Sequence, residues 1–132
     1  MISTPLRADE ASAATMETGV EITSATSEAI EGYLDVRDEL CTTGGIIHGG
    51  AVMAFADAMG AVGAFVSLPE GAKGTTTIES KTNFLGAAKI GERVTAVAKP
   101  LSIGRRISVW QITMTRTDGK PVAVVTQTQL VL

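Results

Sequence analysis

The sequence has one cysteine and one histidine in 132 residues, and only 4% of it is aromatic. A single cysteine excludes an internal disulfide, which fits a reducing compartment and an expected cytoplasmic location. One histidine and one cysteine with no carboxylate cluster around them are too few ligands for a zinc site, so no metal is expected. Excess charge is missing too: 11 basic and 14 acidic residues leave a net charge of −3. That gives no footing for nucleic acid or for an anionic membrane surface. The N-terminal stretch "MISTPLRADEASAATMETG" has no apolar segment of the kind a secretory signal needs. Residues 1–18 read as a partly ordered arm and 19–132 as one domain, since no repeat, low-complexity tract or linker divides the chain.

Small apolar residues and glycine are plentiful, and they concentrate in "IIHGGAVMAFADAMGAVGAF", residues 46–65. The run is about long enough to cross a bilayer. Against a membrane span stand Asp57 near its centre, several glycines, and the absence of a flanking Trp or Tyr belt. Ala and Met enrichment and length favour one helix from about Gly50 to Ser67, stopped by Pro69 and Gly71. A helix this apolar must be covered on every side, most of it by a curved sheet wrapped around it and the rest by a second subunit. An acid at its middle is then either a buried structural group or a catalytic one.

After the helix the period changes to two. Residues 75–85, 92–101, 105–116 and 121–132 read as strands, with breaks at Gly86, Gly91, Gly104 and the hairpin signal Asp118-Gly119. A broken alternation over 20–37 predicts a further strand or hairpin before the helix. The expected class is α+β, with a sheet curved around one helix.

Three segments carry a resemblance: "GGIIHGGAVMAFADAMGAVG", "TTTIESKTNFLGAAKIGERV" and "LSIGRRISVWQITMTRTDGKPVAVVTQTQL". Together they resemble the hotdog-fold acyl-CoA thioesterases, nearest the phenylacetate-pathway and 4-hydroxybenzoyl-CoA thioesterase branch, from about residue 20 to the C-terminus. The most specific feature is His48-Gly49-Gly50 with an acid, Asp57, nine positions after the histidine. Asn83-Phe84, Gly104-Arg105 and the Asp-Gly hairpin add support. The resemblance implies a long helix wrapped by a five- or six-stranded antiparallel sheet, paired into a homodimer and commonly into a tetramer of two dimers. It implies an acyl-CoA substrate and no bound cofactor.

What each residue would do follows the same resemblance. The Gly49 amide, at the positive end of the helix dipole, would polarise the thioester carbonyl, and Gly50 would let substrate approach the backbone. Asp57 would act as general base on water or as nucleophile. Seven residues of helix put Gly50 and Asp57 roughly 10 Å apart, too far for one thioester carbon to touch both. Two antiparallel helices across a two-fold axis bring Asp57 of one chain to the Gly49 amide of the other. His48 would shape the loop and bond near the thioester, and Thr77 matches a Ser/Thr that sits beside the acid in Asp-type relatives. Thr42 stands where relatives often carry Asn or Gln, so a shorter hydroxyl would have to do a reduced version of that task. Asn83, Arg105 and Arg106 are candidate substrate contacts, the two arginines for CoA phosphates.

Other readings compete with these. Cys41 and His48 imitate a Cys–His nucleophile but are joined by a flexible loop with no orienting third group. Met53 and Met59 are candidates for a pocket lining, or simply core. At the level of function, a hotdog dehydratase or hydratase places its histidine and carboxylate differently. A non-catalytic acyl-CoA-binding domain would bind thioesters without releasing free thiol.

Overall fold

A computed structural model describes residues 19–132; the expected arm at 1–18 lies outside the described residues. Strands β1 (Glu21–Ala25) and β2 (Ile30–Asp35) form a hairpin, and a single 3-10 turn follows at Asp38–Leu40. Helix α1 spans Gly49–Val66, and β3 (Thr75–Phe84), β4 (Arg93–Ile103), β5 (Ile107–Arg116) and β6 (Pro121–Val131) complete the chain. All six strands join one antiparallel sheet in the order β1-β2-β4-β5-β6-β3. The strand that follows the helix therefore lies on the far edge, beside the last strand.

The sheet curves around α1, which packs against every strand. Its inner face carries Val52, Phe55, Ala56, Met59, Val62 and Ala64, all buried. These meet Trp110, Ile112 and Met114 of β5 and Ile30 and Leu34 of β2. Burying a side chain such as Phe55 or Met59 contributes about 1.5–3 kcal/mol. Two helical glycines set how closely α1 seats on the sheet. A Cβ on Gly63 would lie 2.7 Å from the Trp110 ring, and one on Gly60 would lie 2.6 Å from Gln127 Oε1. Met59 belongs to this core and is fully buried.

The outward face of α1 is the part of the helix that the chain's own sheet leaves uncovered. Gly50, Met53, Asp57 and Phe65 are exposed, a stripe at spacings of three, four and eight residues on the side that the chain's own sheet does not reach. Asp57 is thus an exposed acid on an otherwise apolar face, not the buried structural group that was one of its two readings. A departure from strict alternation lies in β3. A bulge between Thr77 and Glu79 shifts the alternation by one residue, so Thr77 and Phe84 both point at α1 although they stand an odd seven positions apart.

Candidate active site

The chain enters α1 along a loop held at both ends. Cys41 bridges Ile47, Ile46 bridges Lys89, and His48 N donates to Leu40 O at 2.8 Å. Ile47 N donates to Ala88 O at 2.9 Å and Ile90 N to Gly45 O at 3.1 Å, which stitches the 41–48 loop to the 86–92 loop. Arg116 anchors the second loop through Ala87 O at 3.1 Å. His48 is the extended N-cap: its carbonyl accepts from Ala51 and Val52, and its imidazole makes no capping hydrogen bond. As the first two helical residues, Gly49 and Gly50 have amides with no intrahelical acceptor, and they face outward at the positive end of the dipole. Phe84 lies over Gly49, where an added Cβ would sit 3.1 Å from its ring. Beside them opens a cavity of about 360 Å³ lined by Ile46, Ile47, Gly49, Val52, Phe84, Gly86 and Ala87. Its lining is entirely apolar apart from backbone.

Two turns further along α1, Asp57 meets the sheet's edge. Asp57 Oδ1 accepts from Thr77 Oγ1 and from Gln127 Nε2, each at 2.7 Å. Gln127 Nε2 also donates to Thr77 Oγ1 at 2.9 Å, and Gln129 Nε2 donates to the same oxygen at 2.7 Å. Gln127 and Gln129 are fully buried. The hydrogen bonds to Asp57 among the described residues all end on Oδ1, leaving Oδ2 open on the exposed face. Neither glutamine was singled out from sequence. The available signal was "VVTQTQ" in β6, where period two puts both amides on the inward parity shared by Ala123 and Val125.

The remaining candidates are spread over the surface. Thr42 sits in an exposed turn, its backbone bonded to Ile46 and Gly45. Asn83 is exposed on the face of β3 opposite Phe84. Arg105 and Arg106 lie in the β4–β5 turn, where they line an open groove of about 650 Å³ with Pro69, Glu70, Ala72 and Leu132. Met53 shares the exposed stripe with Asp57. Cys41 Sγ donates to Arg37 O at 3.4 Å. Partial burial, with Asp38 nearby, pushes its thiol up, which disfavours the thiolate a Cys–His nucleophile requires.

A long helix cradled in a six-stranded antiparallel sheet is the hotdog fold. A family model described as the thioesterase superfamily matches residues 44–123, and the chain belongs to that superfamily of thioester hydrolases. A thioesterase of Haemophilus influenzae superposes with a TM-score of 0.82 at 30% identity, over 90% of this chain and 82% of the other. The 1,4-dihydroxy-2-naphthoyl-CoA hydrolase of Escherichia coli K12 is 31% identical over 93 residues, 70% of this chain and 67% of that protein. A Streptococcus mutans protein bound to acetyl-CoA shares the fold, with a TM-score of 0.78 at 21% identity over 86% of this chain and 88% of its own.

Proposed function

We propose that the protein hydrolyses an acyl-CoA thioester to free acid and CoA in a site completed by a second copy of the chain. The observation that carries the reading is the placement of Asp57: an acid on the open face of α1, held on one oxygen by two donors and free on the other. Eight residues separate it from Gly49, about 12 Å along the helix axis. A thioester polarised at the Gly49 amide is out of reach of Asp57 in the same chain, and an antiparallel copy of α1 brings the two together.

Two surfaces favour that pairing. Strand β3 is an edge strand of ten residues, paired on one side only, and an edge of that length invites strand addition. Ile78 and Phe84 on it, with Met53 and Phe65 on α1, leave large apolar side chains exposed. A homodimer, or a tetramer of two, would cover them.

In this reading the thioester oxygen bonds the Gly49 amide, a donor of the type worth about 10²–10³ in rate. The acyl group packs on Phe84, Val52 and Ile46 in the apolar cavity, which suits an uncharged aromatic or short-to-medium-chain group. Asp57 Oδ2 takes the proton of a water that attacks the carbonyl carbon, or attacks that carbon itself and is freed by water afterwards. The thiolate is a good leaving group and needs no strong acid behind it. His48 lies at the mouth of the site, and Arg105 and Arg106 receive CoA phosphates.

Free thiol released from a panel of acyl-CoAs tests the proposal. Asp57→Asn is expected to lower kcat by about 10³ or more while keeping the fold, the scale of removing an essential base. Near-parental turnover in that variant would refute it.

A further inference from the structure

Thr77 Oγ1 stands at the centre of three short contacts: Asp57 Oδ1, Gln127 Nε2 and Gln129 Nε2. A hydroxyl has one proton and two lone pairs, and an amide nitrogen only donates. The two glutamines therefore occupy both lone pairs, and the Thr77 proton has one destination, Asp57 Oδ1. Each amide is itself held in its direction. Thr75 Oγ1 lies 3.0 Å from Gln129 Oε1 and 3.1 Å from Leu130 O, which compete for its one proton, so the carboxylate orients Gln129: turned over, it would claim the Thr77 proton and leave two bare oxygens facing each other at 2.7 Å. Turning Gln127 over would place its carbonyl oxygen where Nε2 now lies, 2.7 Å from the carboxylate. It keeps its orientation even though Gln127 Oε1 is buried without a hydrogen-bond partner.

We propose that Gln129, fully buried and with no hydrogen bond to Asp57, is a positioning residue for hydrolysis that acts through Thr77. The array Gln129–Thr77–Asp57 is directional. Each donor hands its hydrogen to the next group, and the last one ends on Oδ1. Two consequences follow. Thr77 has no proton to give to water or to the departing thiolate, so it is neither nucleophile nor shuttle. Asp57 is fixed with Oδ1 committed, and Oδ2 alone faces the reacting centre. Register supplies the means, because Thr77 pairs directly with Gln129 and the bulge after Thr77 keeps it turned toward the helix. The inference rests on Asp57 being the reacting carboxylate.

A double-mutant cycle on the full chain tests it, with Gln129→Met keeping the volume and removing the amide, and Thr77→Val removing the hydroxyl. Gln129→Met is expected to lower kcat about tenfold, one hydrogen bond's worth, with KM within about twofold. In the Thr77→Val background the same change is expected to have no further effect, since the group it acts through is gone. A kcat within twofold of the parent, or losses that multiply in the double variant, would overturn the proposal. If Gln129→Met does not fold, Gln129→Leu in both backgrounds answers the same question, with a similar loss expected and the same absorption by Thr77→Val. An inactive Asp57→Asn beside an unaffected Gln129→Met rejects this inference alone; an active Asp57→Asn rejects the reading beneath it.

Discussion

Asp57 and Thr77 meet at 2.7 Å across the seam between α1 and β3, although twenty residues of chain separate them. The contact joins the helix to the sheet's outer edge at the point where both are open. Fold and chemistry are coupled there, because whatever sets the height of the helix above β6 also sets the geometry of the carboxylate.

Gly60 and Gly63 separate those two effects. A Cβ at Gly63 would press on the Trp110 ring, which is buried and cannot swing away. Gly63→Ala is expected to destabilise the protein by about 1–3 kcal/mol, as overpacking does. A Cβ at Gly60 meets the end of the Gln127 side chain, which can rotate away at the expense of its bonds to Asp57 and Thr77. With the helix gaining about 0.5–1 kcal/mol from Ala against about 1–3 kcal/mol for the buried hydrogen bonds lost, Gly60→Ala is expected to destabilise by at most about 2.5 kcal/mol and to lower kcat about tenfold. Urea unfolding and steady-state kinetics on both variants check the contrast.

Asp118 tests how the loops beside the site are held. It accepts from Arg116 Nε and Nη2 and from Lys120 N, and the Arg116 hydrogen bond, foremost among these, holds its carboxyl at about 2, below the usual 3.8. A carboxyl depressed in the folded state stabilises fully above its unfolded value and loses that contribution as pH falls through the folded one. The stability deficit of Asp118→Asn relative to the parent is expected to be constant above about pH 5 and to disappear between about pH 4 and pH 2. Urea midpoints across that range measure it, and a deficit undiminished near pH 2 would contradict the assignment.

For the arginines at the β4–β5 turn, the useful comparison is between substrates with and without the nucleotide. Arg105→Ala is expected to raise KM for CoA thioesters about three- to tenfold, an exposed phosphate contact's worth. KM for N-acetylcysteamine thioesters should stay unchanged. Equal ratios in variant and parent would remove Arg105 from the CoA site.

Much of this architecture is written in local pattern. The helix follows from an Ala- and Met-rich run with no proline before Pro69, and the four later strands from period two between glycine breaks. Patterning fell short where tertiary geometry decides. Strict alternation puts Thr77 and Phe84 on opposite faces of β3, and only the bulge after Thr77 brings both to the helix. Arg105 and Arg106, read as the start of a strand, lie in the turn before Ile107. Composition showed that α1 needs covering all round but not which face its own sheet leaves open, and Asp57 lies on that face. Gln127 and Gln129 were visible as polar residues at inward positions, but their role depends on β3 lying beside β6, a pairing between distant segments that no local signal encodes.

The central claim is that each reaction centre draws on two chains, and mixed dimers test it most directly. Asp57→Asn removes the carboxylate. Gly49→Pro removes the amide proton at the first helical position, where His48 already has the extended backbone proline requires of its neighbour and where the added Cβ, 3.1 Å from the Phe84 ring, pushes that exposed side chain outward. Each variant alone is expected to be inactive. Unfolded and refolded together in equal amounts, they should recover about a quarter of parental activity, since roughly half of randomly paired dimers are mixed and each mixed dimer holds one intact site of two. A mixture no more active than its parents, with mixed dimers shown to be present, would contradict the claim.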